Sequence, residues 1–480
     1  MNGTEVMKDI FSRSTSLGEM LFDSMRDNIR FGVEQLNAKP KKLYDAAFGE
    51  PKELLNELNT GFSISGKAQI TKELSFMNSA IIGGTGTGKT SVNAICTCLN
   101  TQNASLIIHD PPGQLIEKVG ADFIKRGFKV YVFDPSNPNG SISINPLDDI
   151  KDQQDINKIA THWNKSSMGE GGSEKFWTLA SINATRTFLS LLLLQPKQYR
   201  NMANLKHLFD VFSGNPKAVH PLAAKAPDTL YSEYRALLAG NEKTMKSIIM
   251  TSSAALNLFG DDAVCKVTAN TTIDFDEFRK TPSVLFIKNS TFHASYIQPL
   301  ISMILEQMFQ RFMQRLPDKG DLPIFFVVDE AATLKLDSLD QVVCNNRKYS
   351  MGVMLLFQNL AQVFYNFKQD KASTILSNCH SKLFYGSMDM RTAKDLAELL
   401  GKRTVTNANG DEIVTDLMHA QDIRMLKYNE ALFISGAHKP YKLKLTPYYL
   451  NPMLRKRTEG KPFVYRNPNP IKNIQLLPLK

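Results

Sequence analysis

The chain has 480 residues, which is too long for one ordinary hydrophobic core, so we expect two packed domains with terminal extensions. A hydrophobic fraction of 42% and a charged fraction of 22% exclude an intrinsically disordered chain. The formal net charge is +10, and ten Lys and Arg residues against one acid from Lys439 onward contribute +9 of it. This C-terminal excess indicates either a solvated tail or a contact with phosphates or anionic lipid.

The sequence contains no segment with the pattern of a membrane anchor or a signal peptide. The most apolar run, residues 188–194, is far shorter than the roughly 20 apolar residues that a spanning helix needs, and the N-terminal residues carry acids. The five cysteines match no zinc-ligand spacing, so we interpret them as reduced, mostly buried thiols. These patterns predict a cytoplasmic protein that lies at the inner membrane only through partners.

The pattern of apolar residues changes near residue 61. Residues 1–60 are amphipathic with a helical period, broken near Pro40 and Pro51, which predicts an N-terminal helical extension. Residues 61–150 instead carry short apolar runs without alternation, at 79–82, 105–109 and 129–133. Such runs are typical of parallel strands that are buried on both faces. We therefore predict the first part of an α/β domain here.

The strand pattern disappears between residues 151 and 270, where helical periodicity dominates, and this predicts an inserted all-α domain. Strand patterns return in residues 271–450, at 283–287, 323–328, 352–357, 382–385 and 431–434. Residues 441–445 alternate and are candidates for the last strand of the sheet. Residues 451–480 form the basic C-terminal tail. The sequence thus predicts an α/β fold with a mostly parallel sheet, interrupted by an all-α insert.

The strongest chemical signal is the run GGTGTGKT, which fits the phosphate-loop pattern G-x-x-x-x-G-K-[ST] in full and lies between a strand and a helix-compatible stretch. Its glycines allow backbone N–H groups to converge on phosphates. Lys89 is expected to reach the β- and γ-phosphates, and the Thr90 hydroxyl is expected to ligate Mg²⁺. We predict that ATP and Mg²⁺ bind to a loop formed by Gly83, Gly84, Thr85, Gly86, Thr87, Gly88, Lys89, Thr90 and Ser91.

A second signal is the apolar strand at 323–328, which is followed by Asp329 and Glu330 in the Walker B arrangement. We expect Asp329 to hold Mg²⁺ and Glu330 to orient and deprotonate the attacking water. The long separation from the phosphate loop is explained by the helical insert. The parts at 61–150 and 271–450 are therefore interpreted as one RecA-like P-loop nucleotide-binding domain with ATPase activity.

Two further residues are candidates for the hydrolysis site. Gln358 directly follows the strand at 352–357, where a polar side chain can hydrogen-bond the γ-phosphate and sense its loss. Arg347 lies between the Walker B strand and the Gln358 strand, and ring ATPases place an arginine from one subunit against the γ-phosphate of the next. Each residue alone is also compatible with an ordinary surface position, and Arg391 is a rival candidate for the arginine.

Ordered motifs beyond the phosphate loop resemble those of the coupling proteins of type IV secretion and conjugation, the TraG/TraD-type ATPases. The resemblance covers roughly residues 75–450. The run LIIHDPPGQL looks like the family's D-P-K-G-E-L stretch, VYVFDP followed by INPL is similar to its F-D-P and N-P-L segment, and FVVDEA resembles its Walker B. The run FQNLAQ looks like its Q-S-x-x-Q element. The spacing from Arg347 to Gln358 also matches the family's arginine finger.

The resemblance implies a homo-hexameric ring, an all-α domain that faces the cytoplasm and receives the substrate, and a cargo of single-stranded DNA bound to a relaxase. It also implies that the ring delivers this cargo to a type IV secretion channel. Two features depart from the family. Pro112 and Gln114 replace the usual Lys and Glu, and the transmembrane helices with which the family usually begins are not found, which predicts a member without that membrane domain.

Two other functions remain open at the level of sequence. The first is a double-stranded DNA pump of the FtsK/HerA branch, against which the D-P-x-G and N-P-L elements argue. The second is a nucleotide-gated adaptor that recruits relaxase or effectors with little turnover of ATP. The intact Lys89, Asp329 and Glu330 argue against the adaptor.

Overall fold

A computed structural model of the chain describes residues 44–167, 174–289, 294–468, 471 and 473–479. The strands within these residues are β1 (Ser79–Ile82), β2 (Ser105–His109), β3 (Lys129–Phe133), β4 (Ser283–Ile287), β5 (Ile324–Val328), β6 (Met351–Phe357), β7 (Ser381–Tyr385), β8 (Lys402–Thr406), β9 (Glu412–Asp416), β10 (Glu430–Ser435) and β11 (Tyr441–Lys444). Among the described residues, nine strands form one sheet in the order β11-β10-β7-β1-β6-β5-β2-β4-β3, and β8 and β9 form a separate hairpin.

The run of the sheet from β7 to β3 is parallel throughout, and β10 and β11 are added antiparallel at one edge. Every residue of β1, β2, β4, β5, β6 and β7 is buried, because helices cover both faces of the sheet. At the edge, β11 alternates buried Tyr441 and Leu443 with exposed Lys442 and Lys444. The strands predicted from the apolar runs are confirmed, and so is the alternating last strand.

Helices flank the sheet and form the insert. In chain order they are α1 (Lys72–Ser75), α2 (Ile95–Asn100), α3 (Gln114–Lys125), α4 (Gln153–Ser167), α5 (Glu174–Leu193), α6 (Met202–Gly214), α7 (His220–Ala223), α8 (Asp228–Ala239), α9 (Glu242–Ala255), α10 (Asp262–Val267), α11 (Ala294–Phe312), α12 (Leu339–Asn345), α13 (Leu360–Phe367), α14 (Gln369–Ser377), α15 (Met390–Leu400), α16 (Ala420–Arg424) and α17 (Pro452–Thr458). Helices α4 to α10 follow one another between β3 and β4, with no strand among the described residues of this stretch. The predicted all-α insert is confirmed.

The insert joins the sheet at the N-P-L segment. The backbone N–H of Ile144 donates to the carbonyl of Val267 at 2.8 Å, so the chain that enters the insert pairs with the chain that leaves it. The buried amide of Asn145 donates to the carbonyl of Arg200 inside the insert at 2.7 Å. The asparagine of this motif therefore fixes the insert to the sheet, away from the phosphate loop.

The prediction of an N-terminal helix is wrong for residues 44–60, and residues 1–43 lie outside the described part of the chain. Apart from a 3₁₀ turn at Pro51–Glu53, residues 44–60 contain no helix. Their backbone pairs with the β8–β9 hairpin instead, because the N–H of Ala46 donates to Lys402 at 3.0 Å and the N–H of Thr404 donates to Tyr44 at 3.1 Å. Pairing with a partner distant in sequence has overridden the local pattern.

The basic C-terminal segment is not a free tail over its described residues. Arg457 on α17 makes two hydrogen bonds to the Asp122 carboxylate, at 2.8 and 2.7 Å, in the bidentate geometry that arginine forms best. Burial would raise the pKa of Asp122, but its bonds to Arg457 and Arg126 outweigh burial and lower it. Further on, Leu477 is buried against the insert, and its N–H donates to Asn204 at 2.7 Å. The segment thus runs across the nucleotide-binding domain to the insert.

Two other sequence expectations can be compared with the structure. No helix in the described ranges has both the length and the apolar character that crossing a membrane requires. All five cysteines are free thiols, and Cys96, Cys98 and Cys379 are buried whereas Cys344 is exposed. Burial raises the pKa of the Cys96 and Cys379 thiols to about 12, which makes both unreactive near neutral pH.

Candidate nucleotide-binding site

The phosphate loop lies at the carboxyl edge of the parallel sheet, where β1 ends and a π-helical turn, Thr90–Ala94, leads into α2. Gly86 and Gly88 have φ angles of +76° and +97°, which side chains other than glycine rarely adopt. A Cβ on Gly83 would lie 2.7 Å from the Cβ of Tyr385, so the strand end needs glycine for space. These glycines give the loop the curvature in which its N–H groups can surround phosphates.

Lys89 is buried and folds back over this loop. Its ammonium donates to the carbonyl of Gly84 at 2.9 Å and also to the carbonyl of Gly83. Burial lowers the pKa of Lys89, and the carboxylates of Asp329 and Glu330 oppose this shift. The lysine is therefore a cation in a partly desolvated site, where neutral carbonyl oxygens accept its hydrogen bonds. Charged phosphate oxygens are stronger acceptors and can take the place of these carbonyls.

The rest of the predicted loop supports these positions. The Thr87 hydroxyl donates to the carbonyl of Gly84 at 2.8 Å, and the Ser91 hydroxyl donates to the carbonyl of Gly88 at 3.1 Å. Thr85 is exposed at the tip of the loop. Both hydroxyl bonds stay inside the loop, so they fix its shape.

Thr90 and Asp329 are in contact although they are far apart in sequence. The Thr90 hydroxyl donates to a carboxylate oxygen of Asp329 at 2.9 Å. Burial raises the pKa of Asp329, whereas the bond from Thr90 and the charge of Lys89 lower it. Nδ1 of His109, at the end of β2, lies 2.7 Å from the backbone oxygen of Asp329. Sequence reasoning did not assign this histidine, and its position beside β5 is visible only in the sheet order.

Glu330 has a backbone conformation that is unusual for a residue with a side chain. Its φ of +53° and ψ of +40° lie in the left-handed region, and such strain is concentrated at functional sites. Its N–H donates to the Asp329 carboxylate at 3.0 Å, and the Gln358 side chain is near enough to its carboxyl to influence its pKa. Burial raises the pKa of the Glu330 carboxyl, Asp329 raises it further, and Lys89 and Gln358 lower it. A carboxylate with a raised pKa is a stronger base.

Gln358 therefore belongs to the same site as the Walker B pair. It follows β6, which lies between β1 and β5 in the sheet, so its side chain stands at the edge where the phosphate loop and Glu330 meet. A residue in this position can contact both a γ-phosphate and the residue that activates the water. The sensor role of Gln358 stays a prediction, which this position permits.

Arg347 lies at the opposite edge of the sheet. It is in a 3₁₀ turn, Asn346–Tyr349, just before β6 begins. Burial lowers the pKa of His380, which precedes β7, and the charge of nearby Arg347 adds to that shift. The seven residues of β6 rise about 3.3 Å each, so the two edges are roughly 20 Å apart. The exposed Arg347 side chain cannot reach the phosphate loop of its own subunit.

A buried amide pair, missed in the sequence, positions that turn. Nδ2 of Asn346 donates to Oδ1 of Asn78 at 2.7 Å and to the carbonyl of Met351 at 2.7 Å. Asn78 in turn donates to the carbonyl of Val343 at 2.9 Å. Arg391, the rival candidate, lies in the first turn of α15, after β7, on the same side of the sheet as the phosphate loop. The two arginines therefore lie at opposite edges of the sheet.

The D-P-P-G loop has a structural role that explains part of its sequence. Asp110 is buried and accepts from the N–H of Ile116 at 2.9 Å, at the start of α3, and burial raises its pKa to about 6. Gly113 has a φ of +76°, and a Cβ there would lie 2.6 Å from the Lys288 side chain. Lys288 pairs with Asp134 of the F-D-P motif at 2.9 Å. Lys288, which directly follows β4, thus lies beside the loop that has Pro112 in place of the family's lysine.

A mostly parallel sheet with a phosphate loop after β1 and an acidic pair after β5 defines an α/β protein of the RecA-like P-loop class, with an all-α insert between β3 and β4. The sequence model of the family described as Type IV secretory system Conjugative DNA transfer matches residues 41–466. The chain belongs to this family.

Relatives of this chain include secretion and conjugation proteins. Protein VirD4 of Agrobacterium fabrum is 21% identical over 410 residues, which cover 80% of this chain and 60% of that protein. The type IV secretion system-coupling protein VirD4 of Bartonella henselae is 22% identical over 436 residues, which cover 82% of this chain and 66% of that protein. The chain thus spans about 60% of the length of its Agrobacterium relative.

Solved structures with the same fold include the bacterial conjugative coupling protein TrwBdeltaN70 in its unbound monoclinic form. This match has a TM-score of 0.67 at 18% identity and covers 90% of this chain and 97% of the TrwBdeltaN70 chain. The plasmid coupling protein TrwB in complex with ADP and Mg²⁺ matches with a TM-score of 0.65 at 17% identity, and the match covers 90% of this chain and 98% of the TrwB chain. VirB4 of Thermoanaerobacter pseudethanolicus matches with a TM-score of 0.53 at 14% identity, and the match covers 85% of this chain and 99% of the VirB4 chain.

Proposed function

We propose that this chain is an ATP-hydrolysing coupling protein, which drives single-stranded DNA bound to a relaxase into a type IV secretion channel during conjugative transfer. The observation that carries the proposal is the 2.9 Å hydrogen bond from Thr90 to Asp329, because it joins the phosphate loop to the acidic pair. The family to which the chain belongs supports the transport role. The protein would act in the cytoplasm and lie at the inner membrane through partners.

The residues at the site fit a nucleotide with Mg²⁺. The hydroxyl of Thr90 and the carboxylate of Asp329 are the hard oxygen ligands that Mg²⁺ prefers, and their contact places both on one side of the loop. These two side chains would hold the ion, which would offset charge on the β- and γ-phosphates.

The other side chains have separate roles in hydrolysis. Lys89 binds the phosphates by exchanging its bonds to the loop carbonyls for bonds to phosphate oxygens. The Glu330 carboxylate orients the attacking water and accepts its proton, and its raised pKa favours that transfer. Gln358 lies beside Glu330 at the end of β6, so departure of the γ-phosphate can be transmitted from this pair to β6.

The insert is the part of the chain that we propose receives the relaxase. Its described surface exposes large apolar side chains: Phe176 is 60% exposed and Leu179 is 55% exposed on α5, and Met250 is 66% exposed on α9. Helices α5 and α9 pack against each other, so these side chains lie on neighbouring elements. Apolar side chains that are left in solvent on neighbouring elements are typical of a protein-binding surface.

Circular single-stranded DNA is expected to stimulate the ATPase rate of the purified protein several-fold, because a motor hydrolyses ATP faster when it engages its track.

A relaxase-linked strand should also be retained by the immobilised protein, and Phe176→Ser should lower retention while the stimulated rate stays unchanged. Steady-state phosphate release and a pull-down measure the two effects. Stimulation by duplex DNA alone would favour the FtsK/HerA-type pump, and retention with no DNA-dependent turnover would favour the adaptor.

We also propose a homo-hexameric ring in which Arg347 contacts the γ-phosphate held by the neighbouring subunit. Its exposed place at the far edge of the sheet supports a role across a subunit interface. Arg347→Ala is expected to lower kcat by about 1,000-fold or more, since such arginines contribute that much in other NTPases. Arg391→Ala is the matched control and should retain turnover.

Mixing variants tests the role between subunits directly. An Arg347→Ala subunit keeps its phosphate loop and can receive Arg347 from a Lys89→Ala neighbour. Mixed rings of these two inactive variants should therefore regain hydrolysis in the phosphate-release assay. Absence of recovery, in rings whose mixed composition is verified by mass, would contradict the proposed role.

A further inference from the structure

A cavity lined by tyrosines adjoins the phosphate loop. It has a volume of about 380 Å³, within the range of small-molecule sites. One side of the cavity is the loop itself, with Gly88, Lys89 and Thr90. The other side is formed by three aromatic side chains from the antiparallel edge of the sheet, Tyr428, Tyr448 and Tyr449.

The two segments that carry the tyrosines are held together by the backbone. Tyr428 precedes β10, and Tyr448 and Tyr449 follow β11. The N–H of Leu445 donates to the carbonyl of Asn429 at 2.7 Å, which ties one segment to the other. The edge pairing of β10 with β11 therefore brings residues that are 20 positions apart to one wall of the cavity.

The rings also contact one another. Tyr448 and Tyr449 are edge to face, with ring centroids 5.5 Å apart and an interplanar angle of 82°. Burial raises the pKa of the Tyr449 hydroxyl, and the neighbouring Tyr428 side chain raises it further, so these two side chains also lie close together. The Tyr428 hydroxyl lies 3.5 Å from the position that a Cβ on Gly88 would take, so this side chain reaches the phosphate loop. The wall is thus assembled in advance of any ligand.

Tyr448 packs partly against the core, but core packing does not account for Tyr428 and Tyr449. Tyr428 is 60% exposed and Tyr449 is 41% exposed, so much of their ring area faces the cavity and solvent. Flat aromatic surface beside a phosphate site is suited to the π-face of a nucleobase, which extends away from the phosphates in a nucleotide. The cavity is long enough to include both the lysine of the loop and the rings.

We infer that Tyr428, Tyr448 and Tyr449 form the site for the nucleotide base, and that they hold it by stacking, so adenine and guanine nucleotides bind alike. Stacking depends on a π-face that every base has, whereas discrimination requires donors and acceptors fixed at the ring edge. Gln114, on the same cavity, has an amide that offers both a donor and an acceptor, so it can pair with either purine. This inference rests on the proposed nucleotide-binding function.

The test compares dissociation constants of three ligands by calorimetry: the non-hydrolysable analogues of ATP and GTP, and inorganic triphosphate. Tyr428→Ala and Tyr449→Ala should each raise the dissociation constants of both nucleotide analogues by about tenfold, because stacking on an aromatic side chain commonly contributes that much to affinity. The factor should be the same for the ATP and GTP analogues. Inorganic triphosphate should bind unchanged. Tyr428→Phe and Tyr449→Phe, which keep the ring, should bind all three ligands nearly as the parent does.

Tyr365→Ala is the matched control, because Tyr365 is 81% exposed on α13 and does not line the cavity. Unchanged nucleotide affinity in both alanine variants would overturn the inference, as would an equal loss for inorganic triphosphate, which lacks a base. A loss of affinity for only one of the two purine nucleotides would indicate recognition of the base edge rather than stacking, and it would also contradict the inference. If the parent protein binds none of the three ligands, the proposed nucleotide-binding function itself fails.

Discussion

Lys89→Ala is expected to lower ATP hydrolysis to at most about 1% of the parental rate and to weaken nucleotide binding. Its ammonium is the buried cation at the phosphate end of the site. In the variant, the loop carbonyls that accept from this ammonium would face the phosphates without a compensating positive charge. Loss of a preorganised electrostatic contact of this kind lowers kcat by about 100- to 1,000-fold. Phosphate release at saturating ATP and the dissociation constant of a non-hydrolysable analogue measure the two effects.

The control for this variant is Lys125→Ala, which removes an exposed lysine at the end of α3. It has the same change in net charge and should leave both measurements unchanged. Circular dichroism and melting temperature should agree between the two variants, because Lys89 makes its bonds within the loop and not to the core. Wild-type turnover by a folded Lys89→Ala protein would place the active site elsewhere.

Glu330→Gln is expected to separate binding from turnover. The amide keeps the shape of the side chain and its place beside Gln358, but it cannot accept a proton from water. Loss of a general base lowers kcat by about 100- to 10,000-fold, whereas the affinity for ATP should stay close to that of the parent protein. Single-turnover hydrolysis and a filter-binding assay for trapped ATP provide the measurements.

Glu57→Gln is a suitable control, since Glu57 is an exposed carboxylate that pairs with Lys67 away from the site. Hydrolysis at the parental rate in Glu330→Gln would show that another residue is the base. A simultaneous loss of ATP binding would instead assign Glu330 a role in holding the nucleotide. The two outcomes are distinguishable because chemistry and affinity are measured separately.

Some sequence predictions failed at places where distant parts of the chain meet. The mostly polar strand β8 was not identified as a strand, because its partner β9 and the backbone of residues 44–46 determine its pairing. The C-terminal segment looks like a solvated basic tail in sequence, but Arg457 is bound to Asp122 and Leu477 is buried against the insert. Local composition cannot reveal that a segment has a partner elsewhere in the fold.

The sequence alone determined the chemistry of the phosphate loop, the acidic pair and the strands that carry them. These features depend on contiguous residues: glycines that permit positive φ, apolar runs that are buried on both faces, and a lysine and threonine at fixed spacing. Only the tertiary structure decided which of these residues meet. The sheet order places β6 between β1 and β5, so Gln358 contacts Glu330, and it leaves Arg347 at the opposite edge. The tyrosine wall depends in the same way on the pairing of β10 with β11, because proximity between segments arises from packing that no local pattern encodes.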